Sequence, residues 1–246
     1  MPLPPSFDAR LVAARPLAKA VRELVFERLD RAPMDFEPGQ WVNVFLPVAG
    51  GELPEMKRSY SIASAPDGSP RFELAVTRVK NGAASEWLHA VSERTVLRFS
   101  GPQGFFTRDA SAPPPSLFVA TGTGVTPLRS MLRASLAAGA RSPTWVLLGV
   151  RHAEDVLYEA ELRTLAGVHP FMRFEPTLSQ PPESWRGRSG YVQTHVRSLW
   201  AELSAAASEP PHAYVCGLQR MVGSVRDLLR KDMGVAREHV HSERYD

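Results

Sequence analysis

Leu117-Phe118-Val119-Ala120-Thr121-Gly122-Thr123-Gly124-Val125-Thr126-Pro127 is the stretch from which the fold can be read. Its first four residues are continuously apolar, as expected of a strand covered on both faces in a parallel sheet. A turn built on Gly122 and Gly124 follows, then a helix expected from about Pro127 to Ala138. Glycine lets a backbone turn tightly and approach a ligand. Thr126 suits the N-cap and Pro127 the first helical position. A helix start of this kind presents free N–H groups and a positive dipole end, which favour a phosphate. A purely structural turn would use the same residues, and Pro127 stands where the third Gly of G-x-G-x-x-G would fall. The strand–turn–helix setting favours a pyrophosphate.

Downstream the pattern repeats. Apolar runs at Trp145–Gly149, Phe171–Thr177 and Ala213–Cys216 alternate with helices expected at Leu157–Ala166, Val192–Ala206 and Gln219–Met233. Strands alternating with helices predict a doubly wound parallel sheet. Only Leu178–Gly190 reads as a long irregular stretch. Upstream, Ala112-Pro113-Pro114-Pro115 breaks the composition and divides the chain into residues 1–111 and 112–246. The first part carries short strand patterns at Phe7–Ala14, Ala20–Leu29, Trp41–Leu46, Phe72–Thr77 and Thr95–Ser100. Turn residues separate them closely, with a Gly/Pro-rich loop at Pro47–Pro54, which predicts an antiparallel barrel or sandwich. One helix, near Ser85–Val91 with Ser85 as its cap, interrupts the series.

At 246 residues, 43% hydrophobic and 22% charged, the chain has the composition of an ordinary globular protein of one or two domains. No apolar run reaches the roughly 18 residues needed to cross a bilayer. The first residues lack the pattern of a signal peptide, so a cytoplasmic address is expected. A single cysteine, Cys216, excludes an internal disulfide and a cluster held by four of the chain's own thiolates. The net charge of +3 is scattered, and no nucleic-acid stripe is read from it. The seven histidines show no metal-ligand spacing, and no metal is inferred.

Arg58-Ser59-Tyr60-Ser61-Ile62-Ala63-Ser64 reads as a strand. Alternation turns Arg58, Tyr60 and Ile62 one way and Ser59, Ser61 and Ala63 the other. An Arg fork suits a pyrophosphate, a Tyr ring can cover a planar heterocycle, and Ser both donates and accepts. A buried strand with an aromatic rail would look the same. Gly82-Ala83-Ala84-Ser85 opens a helix that could take a second pyrophosphate. Cys216-Gly217-Leu218 ends a parallel strand, where open α/β sheets bind ligands, although Cys216 alone reads as a small buried hydrophobe. His239-Val240-His241-Ser242-Glu243-Arg244-Tyr245-Asp246 brings a carboxylate and an aromatic ring with strand-like alternation.

Taken in order, Pro38-Gly39-Gln40, Arg58–Ser61, Gly82–Ser85, Gly101-Pro102-Gln103-Gly104, Gly122–Pro127, Cys216–Leu218 and Glu243–Tyr245 resemble the motifs of the ferredoxin–NADP reductase superfamily over nearly the whole chain. The resemblance implies an FAD-binding antiparallel barrel followed by a nicotinamide-nucleotide-binding domain. By match, Arg58 would hold the FAD pyrophosphate, Tyr60 would stack on the isoalloxazine, and Ser61 would sit near flavin N5. Gly82, Ala83, Ala84 and Ser85 would take the pyrophosphate, with Ser59 and Val76 completing the FAD set. Gly122, Thr123, Gly124, Thr126 and Pro127 would meet the nicotinamide nucleotide's pyrophosphate, with Cys216 and Gly217 near the nicotinamide. Glu243 would stand beside the flavin and Tyr245 over its other face. Ser61, Cys216, Glu243 and Tyr245 would form the catalytic set.

Relatives that select a 2′-phosphate often carry Ser-Arg where Ser179-Gln180 stands. Arg151 and Arg188 match two other arginines used for that phosphate, so NADPH is the expected donor and NADH stays open. Thr77 replaces a Lys of the plant-type enzymes, and Asp246 follows the terminal aromatic. The implied activity is hydride transfer from the nicotinamide to FAD, then single-electron transfer to an external carrier, most simply a ferredoxin, from a monomer. Reduction of free flavin, a quinone or an oxygenase component is the alternative, and a nucleotide-binding regulatory module without turnover is a third possibility.

Overall fold

The computed structural model describes residues 5–47 and 56–245. The Gly/Pro-rich loop falls mostly outside the described residues, as do the chain's first residues and Asp246. The first half is a six-stranded antiparallel sheet in the order β4-β3-β6-β1-β2-β5. Its strands are β1 (Ser6–Ala18), β2 (Val21–Arg28), β3 (Trp41–Leu46), β4 (Met56–Ser61), β5 (Arg71–Thr77) and β6 (Val96–Gln103), with helix α1 (Ala83–Ala90) between the last two. The sheet closes on itself where Ile62 bridges Leu74 across the two edges and the Ala63 N–H donates to the Glu73 carbonyl at 2.8 Å. Closure removes the exposed edges that an open sheet would present. Inside, Phe7, Phe26, Phe72 and Phe99 pack ring to ring in stacked and edge-on pairs.

The second half is a six-stranded parallel sheet in the order β10-β9-β8-β7-β11-β12. Its strands are β7 (Ser116–Thr121), β8 (Thr144–Val150), β9 (Met172–Leu178), β10 (Arg188–Ser189), β11 (His212–Leu218) and β12 (Val240–Tyr245). Helices α2 (Val125–Ala137) and α3 (Glu159–Val168) cover one face, and α4 (Gln193–Ala206) and α5 (Gln219–Asp227) the other. The apolar runs serve both faces at once. On β7, Phe118 and Ala120 face the α2 layer while Leu117 and Val119 face the α4/α5 layer. Three expectations are corrected. The Gly122–Gly124 segment is a turn of 3-10 helix that leads directly into α2. The last helix is α only to Asp227 and continues as a π-helical turn over Leu228–Asp232. The stretch read as irregular contributes β10 as an edge strand.

The two halves share one core. Val21, Ala63, Ala75 and Phe106 from the first half pack in the same cluster as Leu128 and Met131 of α2 and Phe118 of β7. The link between the sheets is itself anchored. Arg108 is buried and donates to the hydroxyls of Ser116, Ser135 and Thr144 and to the Pro114 carbonyl.

Arg129 of α2 is the polar tie across this interface. Its guanidinium is 2% exposed and donates to the Ala63 carbonyl at 2.8 Å, to Glu73 of β5 at 2.6 Å and to Glu161 of α3 at 2.8 Å. It also lies 4.2 Å from the centre of the Tyr158 ring. Burial disfavours the cation, but the Tyr158, Glu161 and Glu73 partners outweigh it and hold its pKa above the ordinary value. Breaking a buried ion pair from one side costs about 3–5 kcal/mol. Arg129→Met should therefore lower the unfolding free energy by about 3 kcal/mol in urea titrations, whereas Arg163→Met, at an exposed pair on α3, should change it by less than about 1 kcal/mol.

Candidate functional site

Strand β4 shows the predicted alternation. Tyr60 packs partly on the barrel core and Ile62 lies fully within it. On the other face, the Ser59 hydroxyl donates to Asn43 at 2.9 Å, and Ser61 is buried and turned toward the second half of the chain. Arg58 is exposed. Among the described residues it has no carboxylate partner, and its Nη1 donates to the Lys57 carbonyl at 2.8 Å.

Opposite Ser61 stands the end of the parallel sheet. Strand β12 pairs with β11 in the register Cys216↔Glu243 and Leu218↔Tyr245. Alternation puts His241, Glu243 and Tyr245 on the face shared by Tyr214 and Cys216, which is the face turned to the barrel. The Ser61 hydroxyl lies 3.2 Å from Glu243 Oε1, and the Tyr245 hydroxyl donates to Ser61 at 2.5 Å. Thr126 of α2 meets the same phenol at 3.3 Å and donates to the Thr123 carbonyl at 2.8 Å. Ser61, Cys216, Glu243, Tyr245 and Thr126 therefore converge from four elements and both halves of the chain. Burial lifts the Glu243 carboxyl from 4.5 to about 7, against the pull of the Ser61 hydrogen bond. Burial, then the Glu243 carboxylate, pushes the Cys216 thiol up, so it stays protonated at neutral pH and is no nucleophile.

The glycine-rich turn sits beside these groups, and its two glycines do different work. Gly122 has φ +51°, and a Cβ there would meet open space. Gly124 is closed: a Cβ would stand 2.2 Å from the Cys216 carbonyl oxygen, so it lets the turn lie on the end of β11. Gly217, at φ +141°, is closed likewise by the Thr121 hydroxyl, 2.4 Å from where its Cβ would be. Thr126 and Pro127 lie within the first turn of α2, and Gly124 holds the N-cap position predicted for Thr126. The same correction applies to α1, whose N-cap is Gly82. Ser85 lies in the first turn, donating to the Gly82 carbonyl at 2.9 Å and accepting from the Val79 N–H at 3.0 Å. The first helical bond of α1 runs from the Glu86 N–H to the Gly82 carbonyl, which leaves the N–H groups of Ala83, Ala84 and Ser85 without helical partners. Val76 offers no side chain to a ligand, because it is buried in the barrel and its carbonyl meets His89 Nε2 at 2.9 Å.

Further along the same C-terminal end of the sheet, beyond β8 and β9, Arg151 is exposed, and the backbone N–H groups of Ser179 and Gln180 donate to the carbonyls of Val150 and Arg151. Arg188 is not waiting for a ligand: its Nε donates to Glu175 at 3.2 Å. Several contacts lay beyond sequence reasoning. Thr121 accepts from the Leu218 N–H at 3.4 Å, and Thr77 of β5 meets Thr123 at 3.3 Å across the two halves. His212, His239 and His241 stack at the start of β11 and β12, with His212 Nδ1 and His241 Nε2 3.0 Å apart, and burial pushes His212 down to about 4. Among the described residues no group of three or more His, Cys, Asp or Glu is placed to hold a metal, and no helix is long and apolar enough to cross a membrane.

The chain matches the family described as "Oxidoreductase FAD-binding domain" over residues 8–107 and that described as "Oxidoreductase NAD-binding domain" over residues 118–227. It is 60% identical over 241 residues to the ferredoxin–NADP reductase B of Sorangium cellulosum, covering 98% of each chain. It is 29% identical to the ferredoxin–NAD(P)(+) reductase component of the naphthalene 1,2-dioxygenase system of Pseudomonas putida, covering 87% of this chain and 61% of that one. Among solved structures, an Amycolatopsis cytochrome P450 reductase superposes with a TM-score of 0.80 at 26% identity, covering 98% of this chain and 70% of the other.

Glu243 makes stability depend on pH in a defined window. Its folded pKa lies above its unfolded value, so the folded state holds the proton more tightly. Its contribution is complete below about pH 4.5 and is lost as the pH rises through about 7. Glu243→Gln stays neutral throughout. Its unfolding free energy relative to wild type should rise between about pH 5 and about pH 8 in paired urea titrations, and a difference independent of pH would contradict a buried, neutral-favouring Glu243.

Proposed function

The chain belongs to the ferredoxin–NADP reductase family and is an FAD- and NAD(P)-dependent oxidoreductase, and on that premise we propose that it carries electrons from NADPH to a ferredoxin. Support comes above all from the meeting of Ser61 with Glu243 and Tyr245 at the C-terminal edge of the parallel sheet.

The residues fit FAD. Arg58 is exposed without a carboxylate partner among the described residues, and the first turn of α1 offers three N–H groups without helical partners. A Cβ on Gly82 would meet Ser85 Oγ at 2.8 Å and the Val79 carbonyl oxygen at 3.1 Å, so a larger residue there would have to displace the Ser85 hydroxyl. Arg58 and the turn Gly82–Ser85 would hold the pyrophosphate, Ser59 supports β4 through Asn43, and Tyr60 would present its ring. When bound, FAD supplies the exchange between paired and single electrons, which a protein side chain cannot.

The chain's own groups do the rest. Gly122, where a Cβ would meet open space, and Thr123 beside it would receive the nicotinamide nucleotide's pyrophosphate at the start of the turn before α2. Ser61 bonds to the buried carboxyl of Glu243, whose pKa burial lifts to about 7, so that it can gain or lose a proton near neutral pH. Tyr245 fills the space beside Ser61 and Cys216 and must leave before a planar ligand can enter. Arg151 faces solvent and is the better-placed cation for a 2′-phosphate, since Arg188 is engaged by Glu175. Residues 1–111 and 112–246 are the flavin and nicotinamide units, working as a cytoplasmic monomer.

The acceptor is external, since one cysteine cannot hold an iron–sulfur cluster by itself. A mildly basic chain suits an acidic carrier. The likeness to an oxygenase reductase component favours one second reading, in which the electrons pass to an oxygenase system.

Steady-state reduction of ferricyanide and of a ferredoxin, each with NADPH and NADH, tests donor and acceptor together. Turnover with NADPH and ferredoxin should exceed turnover with NADH or with free FMN, and a strong NADH preference would refute the role of Arg151. In stopped flow, Ser61→Ala should keep its FAD while NADPH bleaches the yellow protein about tenfold more slowly or worse. A wild-type rate would remove Ser61 from the chemistry.

A further inference from the structure

Helix α1 is fastened to the barrel by its C-terminal end. It has eight residues, about 12 Å of helix, which is too short to hold its shape in water unaided. Ala84, Leu88 and Val91 pack in the barrel core. The last carbonyls of a helix have no partner within it, and here one nitrogen gathers three of them. Arg22 Nη1 donates to the carbonyls of Leu88 at 3.1 Å, His89 at 2.8 Å and Val91 at 3.0 Å. Beside it, His89 Nε2 meets the Val76 carbonyl at 2.9 Å, and since a carbonyl only accepts, that nitrogen carries the proton. Arg22 on β2 stands opposite Val76 on β5. Both ties therefore hold the last turn of α1 to one place on the barrel wall.

Among the described residues Arg22 has no carboxylate partner. A partly buried cation needs compensation, and the negative end of the helix dipole supplies it. The start of α1 is held more loosely. Ser85 bonds to Val79 and Gly82, which belong to the loop leading into the helix. The pair of Arg78 with Glu86 is exposed, and such pairs add little. The free N–H groups of Ala83, Ala84 and Ser85 thus take their place from a helix whose ties to β2 and β5 lie about two turns away.

We propose that Arg22 is a positioning residue for the flavin nucleotide: through α1 it sets where those three N–H groups meet the pyrophosphate. This rests on the reading above that Gly82–Ser85 take the pyrophosphate of FAD. About 12 Å of helix lies between the cation and the N–H groups, more than the Debye length of about 8 Å at physiological ionic strength. Direct attraction to the phosphates is largely screened over that span, and the helix carries the effect.

The test uses the full-length holoprotein and three measurements on Arg22→Met: the rate of FAD release on dilution, followed by flavin fluorescence, the phosphorus NMR signals of bound FAD, and the visible flavin spectrum. Release should be about tenfold faster or more, since hydrogen bonds from a charged donor are among the stronger ones. The phosphorus signals should move while the visible band, which reports the ring, stays as in wild type. A general loosening of the barrel would shift the visible band as well, and that outcome would overturn the proposal, as would wild-type release with wild-type phosphorus signals. If Arg22→Met does not fold, Arg22→Gln, which keeps one amide donor, should show the same changes to a smaller degree, and wild-type behaviour in it overturns the proposal alone. Gly82→Ala, whose Cβ would displace the Ser85 hydroxyl, separates this inference from its premise. Phosphorus signals indifferent to Gly82→Ala would refute the placement of the pyrophosphate and the proposal with it. Signals that move in Gly82→Ala and not in Arg22→Met would refute the role of Arg22 alone.

Discussion

The parallel pairing of β12 with β11 is the constraint on which the site depends. Its register sets Glu243 beside Cys216 and Tyr245 beside Leu218. A slip of one residue would exchange the faces of the strand, turning Ser242 and Arg244 toward the barrel in place of Glu243 and Tyr245. Gly217 guards that register from within. Its φ of +141° and the nearness of Thr121 leave no room for a side chain where the strand ends. Tyr214 of β11 stacks on His241 of β12, with ring centres 4.5 Å apart, and adds a side-chain contact on the same face.

Helix α2 carries the same constraint across the molecule. It packs on the sheet with one side and on the barrel with the other, and Arg129 in that layer bonds both Glu73 of the first half and Glu161 of the second. A buried cation with two carboxylates and a carbonyl is satisfied only when both halves are in place. The position of Thr126 relative to Tyr245, and of Ser61 relative to Glu243, is thereby held by burial at some distance from the groups themselves. The turn before α2 is fixed as tightly, because Gly124 lets it rest on the backbone of Cys216.

Much of the fold is legible in residue patterns. The apolar runs at 117–120 and 145–149, short and bounded by turn residues, read as strands buried on both faces, and the closely spaced turns of the first half mark an antiparallel sheet. The misplacements are local. Ser85 and Thr126 are good N-cap types, yet both lie within a first turn, because a preceding glycine can take the cap backbone without a side-chain bond. Arg188 was legible as a cation, but its engagement by Glu175 depends on the pairing of β10 with β9, which no local signal announces. The same holds for the histidine stack, whose members lie as far apart in sequence as His212 and His241.

By itself the sequence determined the two architectures, the glycine-rich turn, the alternation of β4 and the kinds of groups that could meet a nucleotide, since each rests on neighbours within a few residues. Only the tertiary structure decided that Ser61, Thr126, Cys216, Glu243 and Tyr245 meet at one buried place, and that burial there raises the pKa of Glu243. Hydrogen bonds and desolvation act over a few ångströms of space, and the separation of Ser61 from Glu243 along the chain says nothing of the 3.2 Å between them.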